Sequence, residues 1–495
     1  MDNESAYAAM CRSAGDLYAF RSTLALLWWD EETGLPPQGL AWRSRQCEAL
    51  SSHVHRVFTS ADTGTLLARC EAETHPQDSV EAANIRLWRE EYDRECKLPA
   101  EFVAEVAATG THARVAWSEA RTKSDFSIFQ PWLEKQVGLC RRKADYFGWE
   151  NHPYDALLNL YERGMKTAEA AVILGDLQNS LGDIVAAATD RSRGIPADLL
   201  AGDYPVAAQA AFNHEVAEAL GFDFHAGRID TATHPFCSRI TPGDVRLTTR
   251  YDRADFTDSL FGILHEMGHG LYEQGLPADQ AGCPVGESVS LGVHESQSRL
   301  WENHIGRSEG FWSHWLPRAA AHFPHLAKRT PAEMAAALTR SERGFIRVGA
   351  DEATYDAHIC LRFGLEVDLI KGDLKVADVP AEWNARFKNL FGMDVPDDAR
   401  GCLQDIHWSM GSIGYFATYT LGNLLAAQLM ECARADAALS AAIDAADYAP
   451  LLGWLRARIH RHGSRYTPGE LIQLATGKPL GAAPFLAHLR RRYTI

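Results

Sequence analysis

The residues in this chain best equipped for chemistry are His265-Glu266-Met267-Gly268-His269, two histidines four apart with a glutamate between them. Positions i and i+4 share one face of an α-helix, so both imidazoles can aim a ring nitrogen at a single ion. Glu266 then stands beside that ion, where it can take a proton from a water. With 20 histidines in 495 residues, such a pentapeptide is expected by chance on the order of 0.05 times, which favours a metal site over coincidence. Leu260, Ile263, Leu264, Met267 and Leu271 recur at helical intervals around it, while Gly270 and Gly275 read as a loosening and a stop.

A catalytic zinc needs a third protein ligand and one open position. Downstream, Gly292-Val293-His294-Glu295-Ser296-Gln297 reads as the start of a helix after a glycine-rich loop at residues 282–292. Glu295 is the leading candidate, because one helix end, a loop and a return separate it from His269. Glu287 and Glu302 compete on spacing alone. Two histidines and a glutamate suit one divalent ion, Zn²⁺ first, with Co²⁺ or Mn²⁺ acceptable in the same geometry.

These residues need a scaffold, and the pattern predicts a mainly α one. Helical periodicity runs from Ser5 to about Gly221, broken near residues 34–39, 74–77, 97–100, 151–153 and 194–198. Residues 222–251 alternate Thr, Ile, Val and Arg around Pro235 and Pro242-Gly243, which predicts a small β-sheet. Helices resume at Phe256. No repeat or linker divides the chain, so residues 1–495 read as one domain: an N-terminal helical part (1–221), the sheet (222–251) and a catalytic helical part (252–495).

Bulk properties exclude several partners. The net charge of −16 and pI near 5.7 argue against nucleic acid and against an anionic membrane surface. No apolar run reaches the roughly 18 residues of a membrane span. The start, Met1-Asp2-Asn3-Glu4-Ser5, is acidic and lacks an apolar segment, which reads as no secretory signal and a cytoplasmic location. Ten scattered cysteines without a C-x-x-C pair read as reduced thiols, although Cys237 and Cys283 flank the motif region. Arg490, Arg491 and Arg492 read as a solvated helix end.

Four further stretches concentrate polar residues: His234-Pro235-Phe236; Asp244-Val245-Arg246-Leu247-Thr248; Ile346-Arg347-Val348-Gly349-Ala350-Asp351; and Gly401-Cys402-Leu403-Gln404-Asp405-Ile406-His407-Trp408. Singly, each has a plain structural explanation. His234 can be a turn residue, Asp244 and Arg246 a sheet-edge ion pair, Arg347 and Asp351 a pair along a helix face. Together with H-E-x-x-H and His294-Glu295-Ser296-Gln297, in this order, they resemble the motifs of the M32 metallocarboxypeptidases, the carboxypeptidase Taq family. Trp29-Asp30-Glu31-Glu32-Thr33-Gly34 and Tyr415-Phe416-Ala417-Thr418-Tyr419 are similar to that family as well, and the resemblance runs from about residue 15 to the C-terminus.

The resemblance implies a neurolysin-like helical body with a deep groove and the metal at its floor, and a homodimer. It implies His265, His269 and Glu295 as ligands and Glu266 as catalytic carboxylate. The substrates would be peptides with a free C-terminus, trimmed one residue at a time with broad specificity. An oxyanion donor is then expected among His407, Tyr415 and Tyr419. An arginine must take the terminal carboxylate, with Arg347 first and Arg246 next. His234 and Gln297 are expected at the substrate, Asp351 behind Arg347 or a ligand histidine. The competing readings are a zinc oligopeptidase or dipeptidase with the same chemistry, and a metal-stabilised scaffold without turnover; Glu266 speaks against the scaffold.

Overall fold

The computed structural model describes residues 5–494. The acidic start at residues 1–4, from which the lack of a secretory signal was read, lies outside the described residues. Among the described residues helices dominate, and one three-stranded sheet interrupts them between Ala219 and Phe256. The breaks expected in the first half fall between helices, and further ones at Thr59, Ser124 and residues 159–166 divide it more finely. Serine, aspartate and histidine caps start many of these helices: Ser5, Ser60, Ser79, Asp125 and His152 each accept a hydrogen bond from a backbone N–H of the first turn.

Strands β1 (Gly227–Thr231), β2 (Cys237–Thr241) and β3 (Asp244–Thr249) are ordered β1-β3-β2. β3 pairs parallel to β1 and antiparallel to β2, with Gly227 opposite Val245 and Cys237 opposite Leu247. The alternation works as expected: Val245 and Leu247 are buried toward the helix carrying the two histidines, while Arg246 faces Trp29 of the Ala6–Thr33 helix. Thr248 Oγ1 accepts from the Phe236 backbone N–H, so the H-P-F and D-x-R-x-T stretches are pinned to each other.

Three helices position the site. The metal helix, Phe256–Glu273, is capped by Asp255 and buried along most of its length. The return helix, Leu291–Arg299, is capped by Ser290 and continues as a π-helical segment through Leu300–Gly306. The tyrosine helix, Ala417–Ala435, lies between the two large cores: Leu421 and Leu424 belong to one, Leu425 and Leu429 to the other. Close approach explains two glycines. A Cβ at Gly268 would sit 2.5 Å from Gln297 O, and one at Gly422 would sit 2.6 Å from Glu295 Cγ. Any side chain there would push the return helix off its neighbours. Gly270 is not a loosening: it lies inside the metal helix, where a Cβ would meet Phe222 and Leu247.

Among the described residues, no helix is long and apolar enough to cross a membrane.

Candidate metal centre and active site

His265 and His269 project from one face of the metal helix toward Glu295 on the return helix. His265 Nε2 lies 3.5 Å and His269 Nε2 3.4 Å from Glu295 Oε2. Two donors each about 2.1 Å from one tetrahedral ion would lie about 3.4 Å apart, so this spacing fits a shared metal. The other ring nitrogens are anchored from behind. His265 Nδ1 meets Glu302 Oε2 at 2.9 Å, and His269 Nδ1 donates to the His294 carbonyl at 3.0 Å, leaving both Nε2 atoms facing inward. Among the described residues these three side chains fit a divalent ion.

Glu302, a competing ligand on spacing alone, therefore stands one shell behind His265, and Glu287 pairs with Arg239 away from the site. Arginines hold the carboxylates. Arg299 Nε donates to Glu295 Oε1 at 2.7 Å and its NH1 reaches Glu302 Oε2 at 3.2 Å, while Arg307 takes Glu302 Oε1 at 3.1 Å. Arg299 escaped the sequence reading, although it sits four residues after Glu295 on the same helix, the spacing at which side chains meet. His294 stacks on His269 with ring centroids 4.3 Å apart and bonds Glu273 Oε1 at 2.7 Å, so it braces the ligand ring.

Glu266 is buried beside the pair. Burial pushes its carboxyl up to about 7, with His265 opposing and Glu295 adding. Against burial, Glu295 and the Glu302 hydrogen bond lift His265 to about 9, whereas burial and His294 hold His269 down to about 3. Burial opposes the Glu302 charge, yet Arg299 and the His265 bond hold it down to about 2.

A second group faces the site from the tyrosine helix and the segment before it. Tyr415, Tyr419 and His407 form a ring cluster, with the Tyr415–Tyr419 and His407–Tyr415 centroids each 5.3 Å apart. His407 Nε2 lies 3.4 Å from Tyr419 OH. Burial holds His407 down to about 4, so its ring is neutral near pH 7. Arg347, almost fully buried, lies over the Tyr419 ring at 5.0 Å and donates through Nε and NH2 to Asp405 Oδ1 at 3.0 and 2.7 Å, and through NH1 to Tyr355 OH at 2.9 Å. Arg362 takes the other oxygen of Asp405 at 2.7 Å. Two guanidiniums thus share one carboxylate.

Several expected residues sit elsewhere. Asp351 does not meet Arg347 or a ligand histidine. Its carboxylate accepts from the Glu342 and Ala353 backbone N–H groups and from Thr354, because residues 350–354 form a turn rather than a helix face. Gln297 is fully buried, and its amide bonds Ser296 Oγ and His460 Nε2, which turns it into the core and away from substrate. Gln404 accepts from the Arg347 backbone N–H and so supports that turn. Arg246 is held bidentately by Asp244 at 2.8 and 2.7 Å, the sheet-edge pair. His234 is exposed in the bend between β1 and β2.

A helical fold with a paired-histidine, glutamate-completed centre of this geometry defines a metallopeptidase-type site. Comparison with known proteins is specific. The family model described as carboxypeptidase Taq (M32) metallopeptidase matches residues 11–493. Thermostable carboxypeptidase 1 of Thermus thermophilus is 39% identical, covering 100% of this chain and 99% of its own length. The crystal structure of an M32 carboxypeptidase from Deinococcus radiodurans superposes with a TM-score of 0.95 at 38% identity, covering 99% of this chain and 98% of that one. Trypanosoma cruzi metallocarboxypeptidase 1 superposes with a TM-score of 0.94 at 34% identity, with 99% of each chain covered. The chain belongs to the M32 family and is a metallocarboxypeptidase, an enzyme whose class implies a divalent metal and peptide substrates.

Proposed function

We propose that this enzyme removes single residues from the free C-terminus of peptides, with His265, His269 and Glu295 holding one divalent ion and Glu266 as general base. The carrying observation is the convergence of two Nε2 atoms and one carboxylate oxygen at 3.4–3.5 Å beside a buried Glu266. The N₂O donor set favours Zn²⁺, with Co²⁺ or Mn²⁺ admissible. When bound, the ion supplies Lewis acidity, lowering the pKa of a water toward ~7 and polarising the scissile carbonyl.

Glu266 takes the proton of the attacking water and later hands it to the leaving amine. Its raised pKa places it where accepting and returning a proton are both easy. Tyr415, Tyr419 and neutral His407 offer O–H and N–H donors on one side of the centre for the developing oxyanion. Arg347 receives the substrate's terminal carboxylate. What supports this is charge: Asp405 neutralises only one of the two arginines that share it, and an incoming carboxylate answers the other. Arg246 is the weaker clamp, since Asp244 answers its charge alone, whereas Arg347 shares Asp405 with Arg362. By family kinship the enzyme works as a homodimer with broad specificity, and its net charge of −16 suits the cytoplasm.

Mass spectrometry of one peptide, free and C-terminally amidated, after incubation with metal-loaded enzyme tests the reading. A ladder of single-residue losses from the free form alone is expected. Internal cuts in both forms would make the enzyme an oligopeptidase, and no cleavage with Zn²⁺, Co²⁺ or Mn²⁺ would leave a scaffold.

A further inference from the structure

Cys11 lies on the Ala6–Thr33 helix, and Cys283 lies in the loop between the metal helix and the return helix. Their sulfur atoms are 3.8 Å apart, with the Cys283 thiol donating to Cys11. The two segments meet at backbone level. A Cβ at Gly282, which has φ +84°, would sit 3.0 Å from Tyr18 Cβ and 3.3 Å from both Ala14 O and Gly15 Cα, one turn along from Cys11. Asn84 ties the loop on both sides of Cys283. Its Nδ2 donates to Gln280 Oε1 at 3.1 Å, and its Oδ1 accepts from Val285 N–H at 2.9 Å. The same Nδ2 bonds Tyr7 OH at 2.9 Å, on the helix that carries Cys11. The pair is therefore held by a shared, cross-braced frame rather than by chance proximity of two mobile chains.

The two thiols are chemically unequal. The hydrogen bond from Cys283 pulls the Cys11 thiol down to about 7 against burial, with Tyr7 adding to the pull and Glu81 opposing it. That same bond and burial push Cys283 up. Cys11 is half-buried and Cys283 buried, which makes Cys11 the attacking sulfur and Cys283 the resolving one.

We propose that Cys11 and Cys283 form a dithiol that a peroxide converts to a disulfide, stapling the first helix to the loop ahead of the return helix. The Cys11 thiolate attacks one peroxide oxygen. An S–O bond forms, the O–O bond breaks, and the departing hydroxide takes up a proton as water. The Cys283 sulfur then attacks the Cys11 sulfenic sulfur. The S–S bond forms, the S–O bond breaks, and the Cys283 proton leaves with the hydroxyl as a second water. Two thiols lose two electrons and one peroxide gains them. Closing the gap from 3.8 Å to about 2.05 Å asks for side-chain rotation and a small local shift. The stapled helix carries Trp28 against Phe236 and Trp29 under Arg246, so the bond anchors one wall of the sheet.

The test is stoichiometric hydrogen peroxide on the folded enzyme, then alkylation of free thiols, digestion and mass spectrometry. A Cys11–Cys283 linked peptide pair is expected, with two fewer alkylatable thiols than the ten of the untreated chain, all recovered by dithiothreitol. Cys11→Ser and Cys283→Ser should each abolish the link while cleaving peptides at the wild-type rate before oxidation. All ten thiols remaining alkylatable, or Cys11 recovered as a sulfenic or sulfinic acid with no linked peptide, would overturn the proposal.

Discussion

His265, His269 and Glu295 form one cluster of two imidazoles and a carboxylate; His304, Glu352 and His488 form another. In both, an arginine holds one carboxylate oxygen: Arg299 on Glu295 and Arg492 on Glu352. The remaining geometry separates them. In the first, the Nε2 atoms stand 3.4–3.5 Å from Glu295, and their Nδ1 atoms are anchored by Glu302 and a carbonyl. In the second, His488 Nε2 lies 2.9 Å from Glu352 Oε1, a direct hydrogen bond that closes the gap, and the His304 and His488 rings pack 4.0 Å apart. The first cluster also has Glu266 and Glu302 close by, so three carboxyl groups surround it; the second has a single carboxylate facing Arg492. The same three residue types thus leave room for a cation in one arrangement and close into a latch in the other. The second latches the Ala483–Tyr493 helix to the π-helical segment.

The largest break in this comparison should come from Glu266→Gln. With one carboxylate oxygen replaced by an amide, turnover should fall about 10³-fold while bound metal stays near one per chain, read by peptide cleavage and elemental analysis. Near-normal turnover would remove Glu266 as the base. Glu352→Ala should be the mirror image. It strands Arg492 without its carboxylate and should cost about 3–5 kcal/mol of stability, read by denaturant unfolding, with metal content unchanged. A loss of metal on that substitution would make the second cluster a binding site after all.

Smaller effects sharpen the contrast. Glu302→Gln keeps the shape behind His265 but removes the charge, and should weaken metal affinity about 10–100-fold in chelator competition. Equal affinity would reduce Glu302 to packing. The smallest is acid dependence. Burial holds His304 well below the ordinary histidine value, with His488 adding to that and Glu352 opposing. The unfolded chain therefore takes up that proton near pH 6.5 before the folded one does, so stability is full above 6.5 and falls as pH drops. His304→Leu should flatten that limb by about 1 kcal/mol per pH unit below 6.5, measured as unfolding free energy at stepped pH. An unchanged slope would assign the limb to other buried groups.

The metal helix, its two histidines and the return to Glu295 were legible because each rests on short-range periodicity and capping. The sheet was legible from alternation around Pro242-Gly243. What stayed hidden depended on partners far along the chain. Arg347 reads as a helix-face partner of Asp351, four residues away, but its true partner is Asp405, which local spacing cannot indicate. Gln297 reads as a substrate contact until His460 is folded against it. Arg492 reads as a solvated end, yet its side chain is nearly buried against Glu352 and the Asn303 carbonyl. The π-helical segment left no trace either, since seven residues of apolar spacing fit α and π alike.

That π-helical segment sends Glu302 to His265 and, two residues on, His304 to the latch. Its consequence is one of timing. A ribosome delivers the chain from the N-terminus, so both metal-facing histidines and Glu295 emerge well before His488 and Arg492. Phe485, Leu486 and Leu489, which complete the core against the tyrosine helix, arrive equally late. A nascent chain therefore holds the candidate ligand residues, with Arg299 and Arg307 already beside Glu302, long before it holds the helix that latches the π-helical segment.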